Sequence, residues 1–146
     1  ALSLSDPFVV EAYAKNLRQM VGVGVHPIFA NKAEAIAFTS TSNEDEAARE
    51  LCKYSISHVI TSGADGARCF DGEQFFFSEG IRVDAIDTNG AGDMFAGAFL
   101  FGITSGRNYQ WAADFANDCA SRVVQRFGPR LDRHVFETLK DQYGLR

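Results

Sequence analysis

Residues 86–102 read IDTNGAGDMFAGAFLFG, in which Asp87 and Asp93 bracket a glycine cluster and nine uncharged residues follow. A carboxylate at the mouth of so apolar a segment packs badly, so Asp93 has either a capping role or a chemical one. Gly90 and Gly92 let the backbone turn sharply and come close to a ligand with no Cβ in the way. A helix starting near Ala91 points its free N–H groups and the positive end of its dipole at that turn, which suits a phosphate or a developing oxyanion. Asp93 then lies in the first helical turn, able to take a proton from an incoming hydroxyl. The same position equally suits a carboxylate that only complements the helix dipole. Spacing alone does not separate the two.

Other residue patterns carry less. Asn31 to Glu34 (NKAE) places an amide and a carboxylate at a helix start, a pair that suits a hard cation and its waters but also an ordinary cap. Thr61 to Gly66 (TSGADG) ends a strand on glycines. VGVGVHP (21–27) lacks the third glycine of the dinucleotide fingerprint, and there is no GxxxxGK[ST] phosphate loop. His26, His58 and His134 are scattered, with no metal-binding spacing. Trp111 and the run Phe75-Phe76-Phe77 are expected to be core, Phe75 and Phe77 facing one side of a half-buried strand.

The elements that position these residues follow from periodicity and punctuation. Asp6 as cap and Pro7 at the first helical position start a helix over 7–20, with Val9, Val10, Tyr13, Leu17 and Met20 as its apolar residues. Ala1 to Leu4 and 27–30 read as strands, 32–38 as a short helix, and 44–54 as a helix capped by Ser42 or Asn43. HVITSG (58–63) is a short buried strand. The 67–78 stretch alternates around Asp71-Gly72 as a hairpin, and IRVDAID (81–87) is extended. Helices follow over 94–103, 109–127 and 134–143. Strands alternating with helices, apart from one hairpin, predict an α/β fold with a largely parallel sheet covered on both faces.

The bulk numbers suit a single domain. The chain has 146 residues, 46% hydrophobic and 23% charged, and a net charge of -5 with no Lys/Arg run. That balance disfavours a nucleic-acid or anionic-membrane partner. Cys52, Cys69 and Cys119 are odd in number and unpaired in spacing, reading as reduced, mostly buried thiols of a cytoplasmic protein. No secretory leader or membrane-spanning run is visible. The opening, without Met and inside a strand, reads as a piece of something larger.

DTNGAGD (87–93) resembles the DTxGAGD signature of the PfkB/ribokinase family of carbohydrate and nucleoside kinases, and MFAGAFLFGI continues the match. The resemblance implies that Asp93 is the catalytic base and that Gly90, Ala91 and Gly92 supply a backbone anion hole for the transferred phosphoryl. NKAE resembles the family's NxxE motif, which implies that Asn31 attends the nucleotide phosphates and that Glu34 organises Mg2+ through water. TSGADG resembles the [TK]xGxxG element, which implies nucleotide contacts from Thr61, Gly63 and Gly66. FANDCASRVVQRFG (115–128) resembles the helix bordering the adenine pocket. Asn117 and Ala120 are the candidates there, with core packing an equal explanation. Gly128, with Asp87 nearby, matches a region where some members bind a monovalent cation such as K+.

By this resemblance the chain is a ribokinase-like three-layer α/β/α fold with a mostly parallel sheet and a β-hairpin insert. Residues 1–146 form the C-terminal, ATP-binding portion of a PfkB-type kinase. The implied activity is transfer of the γ-phosphoryl of MgATP to a primary hydroxyl of a ribonucleoside or sugar. LSLSDPF, FANKAEA and DTN in place of DTT resemble the adenosine-kinase-like part of the family. The family's N-terminal part, with its Gly-Gly element, most sugar-binding residues and β-sheet lid, has no counterpart here, so the isolated chain is expected to be inactive. An apolar sheet edge left without neighbours would favour association, a homodimer included. The competing expectation is a non-catalytic nucleotide-binding or oligomerisation module.

Overall fold

The Asp6 carboxylate accepts hydrogen bonds from the N–H groups of Phe8 and Val9, and with Pro7 in the first turn it starts α1 (Pro7–Val21) as the sequence predicts. The structure is a computed structural model and describes residues 1–22 and 24–145; Val23, within the VGVGVHP loop, and Arg146 lie outside the described residues. The chain divides into two compact units, Ala1–Phe77 and Ser78–Arg146.

The first unit is built on a sheet of five strands in the order β1-β2-β3-β4-β5: β1 (Leu2–Ser3), β2 (Ile28–Asn31), β3 (His58–Thr61), β4 (Gly66–Phe70) and β5 (Phe75–Glu79), the unit division falling within β5. The β1–β2 and β2–β3 pairs are parallel and β3–β4 is antiparallel, so the sheet is mixed: α/β crossovers on one side, the hairpin on the other. Asp71 shapes that hairpin, its Oδ1 accepting from the N–H groups of Glu73 and Gln74. α2 (Lys32–Thr39) and α3 (Glu44–Leu51) follow β2. Asn43, not Ser42, caps α3, accepting from the Glu46 N–H at 2.9 Å. Ile28, Ala30 and Ile60 on one sheet face join Val10, Val21, Ala35, Phe38, Ala47, Ala48 and Leu51 in one core. Phe29 and Val59, which alternate to the opposite face, are also buried.

Two expectations of burial fail here. On α1 the packed stripe is Val10, Leu17 and Val21, at i, i+7 and i+11, whereas Val9, Tyr13 and Met20 remain exposed. The helix has two apolar stripes, and only the one facing the shared core is covered. Phe75 and Phe77, expected in the core, are 43% and 48% exposed. β5 is the outermost strand of the sheet, and Phe75 covers part of its ring on the hairpin, tilted against Phe70 (4.7 Å between centroids) and His58 (5.9 Å).

The second unit holds α4 (Ala91–Thr104), α5 (Tyr109–Val123) and α6 (Arg133–Gln142). α4 buries Phe95, Ala98, Phe99 and Gly102, a stripe at i, i+3, i+4 and i+7, although the helix is apolar nearly all round and Phe101 is left exposed. Gly102 lets α5 approach closely: a Cβ there would stand 2.8 Å from the Ala112 Cβ. Trp111 and Phe115 stack at 5.2 Å, and Tyr143 meets both edge-on. The 81–87 stretch, expected to be extended, forms no strand. Its last two N–H groups, of Ile86 and Asp87, both donate to the Val124 carbonyl at the end of α5.

Candidate active site

In the second unit the glycine turn opens α4. Gly90 is the N-cap, held at φ +78°, a left-handed conformation natural to glycine. The Ala91 N–H is taken by the Thr88 carbonyl at 3.3 Å, and Met94 makes the first regular helical bond, to the Gly90 carbonyl at 2.8 Å. The N–H groups of Gly92 and Asp93 have no intrahelical partner, and no side chain caps them. They form a two-donor cradle at the positive end of the helix. Gly92 and Asp93 are both exposed at this turn. Asp93 is exposed at the rim, and its carboxylate makes no hydrogen bond or ion pair among the described residues.

Asp87 is differently placed. Its Oδ1 accepts from the Asn89 N–H at 3.0 Å and its Oδ2 from the Gly128 N–H at 3.1 Å. These bonds, the Asn89 one foremost, hold its carboxyl below the usual carboxylate range. The two residues matched to a monovalent cation are thus together, as donor and acceptor of one hydrogen bond. Asn117, matched to the adenine pocket, is buried, and its amide donates to the Ser78 carbonyl (3.2 Å), the Ser78 hydroxyl (2.8 Å) and the Glu79 carbonyl (3.2 Å). That amide is engaged in tying α5 to β5, as the packing explanation requires. Ala120 is half-buried three residues further along α5.

In the first unit the predicted residues meet at the carboxyl ends of parallel strands, where α/β sheets hold ligands. Asn31 and Thr61 are register partners at the ends of β2 and β3. Asn31 and Glu34 form a reciprocal capping box: the Asn31 Oδ1 accepts from the Glu34 N–H (2.9 Å), and the Glu34 carboxylate accepts from the Asn31 N–H (2.9 Å) and amide (2.7 Å). Glu34 is only 5% exposed, and burial raises its carboxyl above the ordinary value. Each carboxylate oxygen is thus engaged once within the capping box. After Thr61 the chain makes a single 3-10 turn (Gly63–Asp65), with Gly63 at φ +58° and Gly66 at φ +114°, closed by the Ser62 N–H on the Gly66 carbonyl at 2.8 Å.

Sequence reasoning missed the groups that brace these turns. Glu44, in the first turn of α3, accepts from the Ser62 hydroxyl (3.0 Å) and Arg68 (3.4 Å). Pro129 packs against Gly90, a contact whose only sequence trace is the Gly128-Pro129 pair marking a turn.

Three comparisons relate the chain to known proteins. A family model described as pfkB family carbohydrate kinase matches residues 1–134. The fructoselysine 6-kinase of Shigella flexneri is 35% identical over 97 residues, which cover 63% of this chain and 37% of that protein. Among solved structures, a probable sugar kinase from Rhizobium etli CFN 42 superposes with a TM-score of 0.90 at 32% identity, over 99% of this chain and 44% of that one. The adenosine kinase of Sinorhizobium meliloti superposes with a TM-score of 0.89 at 30% identity, over 96% and 43%. The fold is therefore ribokinase-like, and this chain spans less than half the length of these relatives.

Proposed function

The chain belongs to the pfkB family of carbohydrate kinases, and on that premise we propose that it is the ATP-binding portion of a kinase that phosphorylates a primary hydroxyl of a sugar or ribonucleoside. The observation that carries the proposal is the start of α4, where two N–H groups without a helical partner lie at an exposed turn and an unpartnered carboxylate stands beside them. Asp93 takes the proton of the acceptor hydroxyl. The hydroxyl oxygen bonds to the γ-phosphorus as the bond to the bridging oxygen breaks, and ADP leaves. The Gly92 and Asp93 amides, with the Gly90–Gly92 backbone fixing them, hold the transferred phosphoryl oxygens where charge develops. Such electrostatic placement supplies most of what phosphoryl transfer needs.

In the first unit, Asn31, Thr61 and the Gly63–Gly66 turn serve the nucleotide phosphates, and Glu34 orders the waters of Mg2+, which supplies charge neutralisation when bound. Each Asp87 oxygen keeps a second lone pair, so K+ remains in the proposed cofactor set as a ligand shared with the Asn89 and Gly128 N–H groups. The relatives named act on fructoselysine and adenosine, and the acceptor here is proposed only as a sugar or nucleoside. No described helix is long and apolar enough to cross a membrane. The cysteines are free, two of the three buried, in keeping with a cytoplasmic protein.

Calorimetric titration of the chain with MgATP, paired with γ-phosphoryl transfer to a panel of adenosine, inosine, guanosine, ribose and fructose, tests the proposal. The complete kinase transfers phosphoryl to at least one acceptor, whereas the chain alone binds MgATP without turnover. Failure of the chain and of the complete protein to bind MgATP contradicts the assignment. Binding without transfer by the complete protein favours a non-catalytic nucleotide-binding module, a reading that draws on the chain's covering less than half of its relatives.

A further inference from the structure

Three ties from the segment between α5 and α6 land on the glycine turn. The Val124 carbonyl accepts from the N–H groups of Ile86 (2.7 Å) and Asp87 (3.1 Å), fixing the approach to the turn. The Gly128 N–H donates to Asp87 Oδ2, while Asp87 Oδ1 reaches forward to the Asn89 N–H inside the turn. Pro129 closes on Gly90 so tightly that a Cβ there would stand 2.4 Å from the Pro129 Cβ and 2.9 Å from its Cα. The segment is itself pinned, by the ion pair of Arg126 with Asp132 at 2.5 Å, and Asp132 is the N-cap of α6.

Gly90 sits at φ +78°, and that angle sets where the Gly92 and Asp93 N–H groups point. We propose that the 124–129 segment is the template that aims these phosphate-facing amides, with Asp87, Gly128 and Pro129 as positioning residues for transfer. The inference rests on reading the turn as the phosphoryl site. Asp87 acts through the backbone, one carboxylate oxygen on each of two loops, and Pro129 acts by contact. A rigid anion hole needs such support, because a misplacement of about 1 Å can cost about 100-fold in rate.

A rescue experiment in the complete kinase tests it. Gly90→Ala places its Cβ against Pro129 and lowers kcat by about 100-fold, the scale of losing one anion-hole donor, with KM for the acceptor unchanged. Pro129→Gly in that background removes the opposing Cβ but leaves the Pro129 Cα at 2.9 Å and the positive φ of position 90, so it recovers only part of the loss, about three- to fivefold of kcat. Pro129→Ala keeps the Cβ and gives no recovery. Rates are taken per folded protein, by near-ultraviolet circular dichroism. A Gly90→Ala/Pro129→Gly variant no faster than Gly90→Ala, or equal recovery with Pro129→Ala, overturns the template. Amide NMR of the 146-residue chain supplies an arm independent of catalysis: Asp87→Asn and Pro129→Gly both shift the Gly92 and Asp93 amide resonances, and unshifted resonances overturn the inference. A wild-type kinase with no phosphoryl transfer contradicts the proposed function instead, and the NMR arm still decides the template.

Discussion

His58 provides a test of the first unit that needs no substrate. It begins β3, opposite Phe70 in the β3–β4 register, and is 0% exposed. Its ring lies 5.5 Å from that of Phe70 and 5.9 Å from that of Phe75, and neither ring nitrogen has a hydrogen-bond partner. Burial alone lowers its pKa from 6.5 to about 4. The unfolded chain therefore binds a proton more readily than the folded one between those two values. Stability is present in full above pH 6.5 and is lost as the pH falls toward 4. At about 1.4 kcal/mol for each tenfold difference in proton affinity, the loss amounts to about 3 kcal/mol, a large share of a typical folding free energy. His58→Leu removes the titrating ring at similar volume. Urea unfolding at pH 7, 5.5 and 4.5 should show the wild type losing about 2 kcal/mol more than the variant over that range, the remainder being lost at lower pH. The variant should also be the more stable of the two at pH 7, since it buries no unpaired nitrogen. Parallel pH dependences for the two proteins would refute the reasoning.

Other consequences are local. Glu34→Ala opens the capping box and should cost about 1 kcal/mol of stability, most of it returned by Glu34→Gln, in thermal melts; an unchanged melt for Glu34→Ala contradicts the box as drawn. Gly102→Val drives a side chain into Ala112 and the Trp111 ring and should destabilise the second unit by about 1–3 kcal/mol. Ala112→Gly should recover part of that loss in chemical denaturation, and no recovery would show that the contact is not the cause.

How much of this was legible beforehand depended on the range of the interaction. The caps at Asp6, Asn31 and Asn43 and the Asp71 turn are settled within three or four residues, so they can be read directly from the chain. The helix behind Gly90 was legible for the same reason, and so was the placing of Asp93 in its first turn. What periodicity could not choose was which of two apolar stripes on α1 meets the sheet, because Val9, Tyr13 and Met20 satisfy a helical repeat as well as Val10, Leu17 and Val21 do. The Phe75–Phe77 run failed likewise: alternation gives a face but not whether the strand is outermost. At the site, the residue types were visible, but their partners were not. Asp87 with Gly128, Gly90 with Pro129 and Asn117 with Ser78 join positions about forty apart, and nothing local announces those pairings. Asn117 shows the consequence, since a residue matched to a ligand pocket proves to have its amide engaged by a strand.

Asp93 is the residue on which the kinase reading turns, and its substitution is the most direct test. Replacing it with asparagine in the complete kinase leaves the Gly92 and position-93 amides in place but removes the proton acceptor. Turnover with the best acceptor, measured beside the calorimetric affinity for MgATP, separates the two contributions. Asp93→Asn is expected to lower kcat by about 10²–10⁴-fold while the MgATP Kd stays within about twofold of wild type. Near-normal turnover by the variant would contradict it.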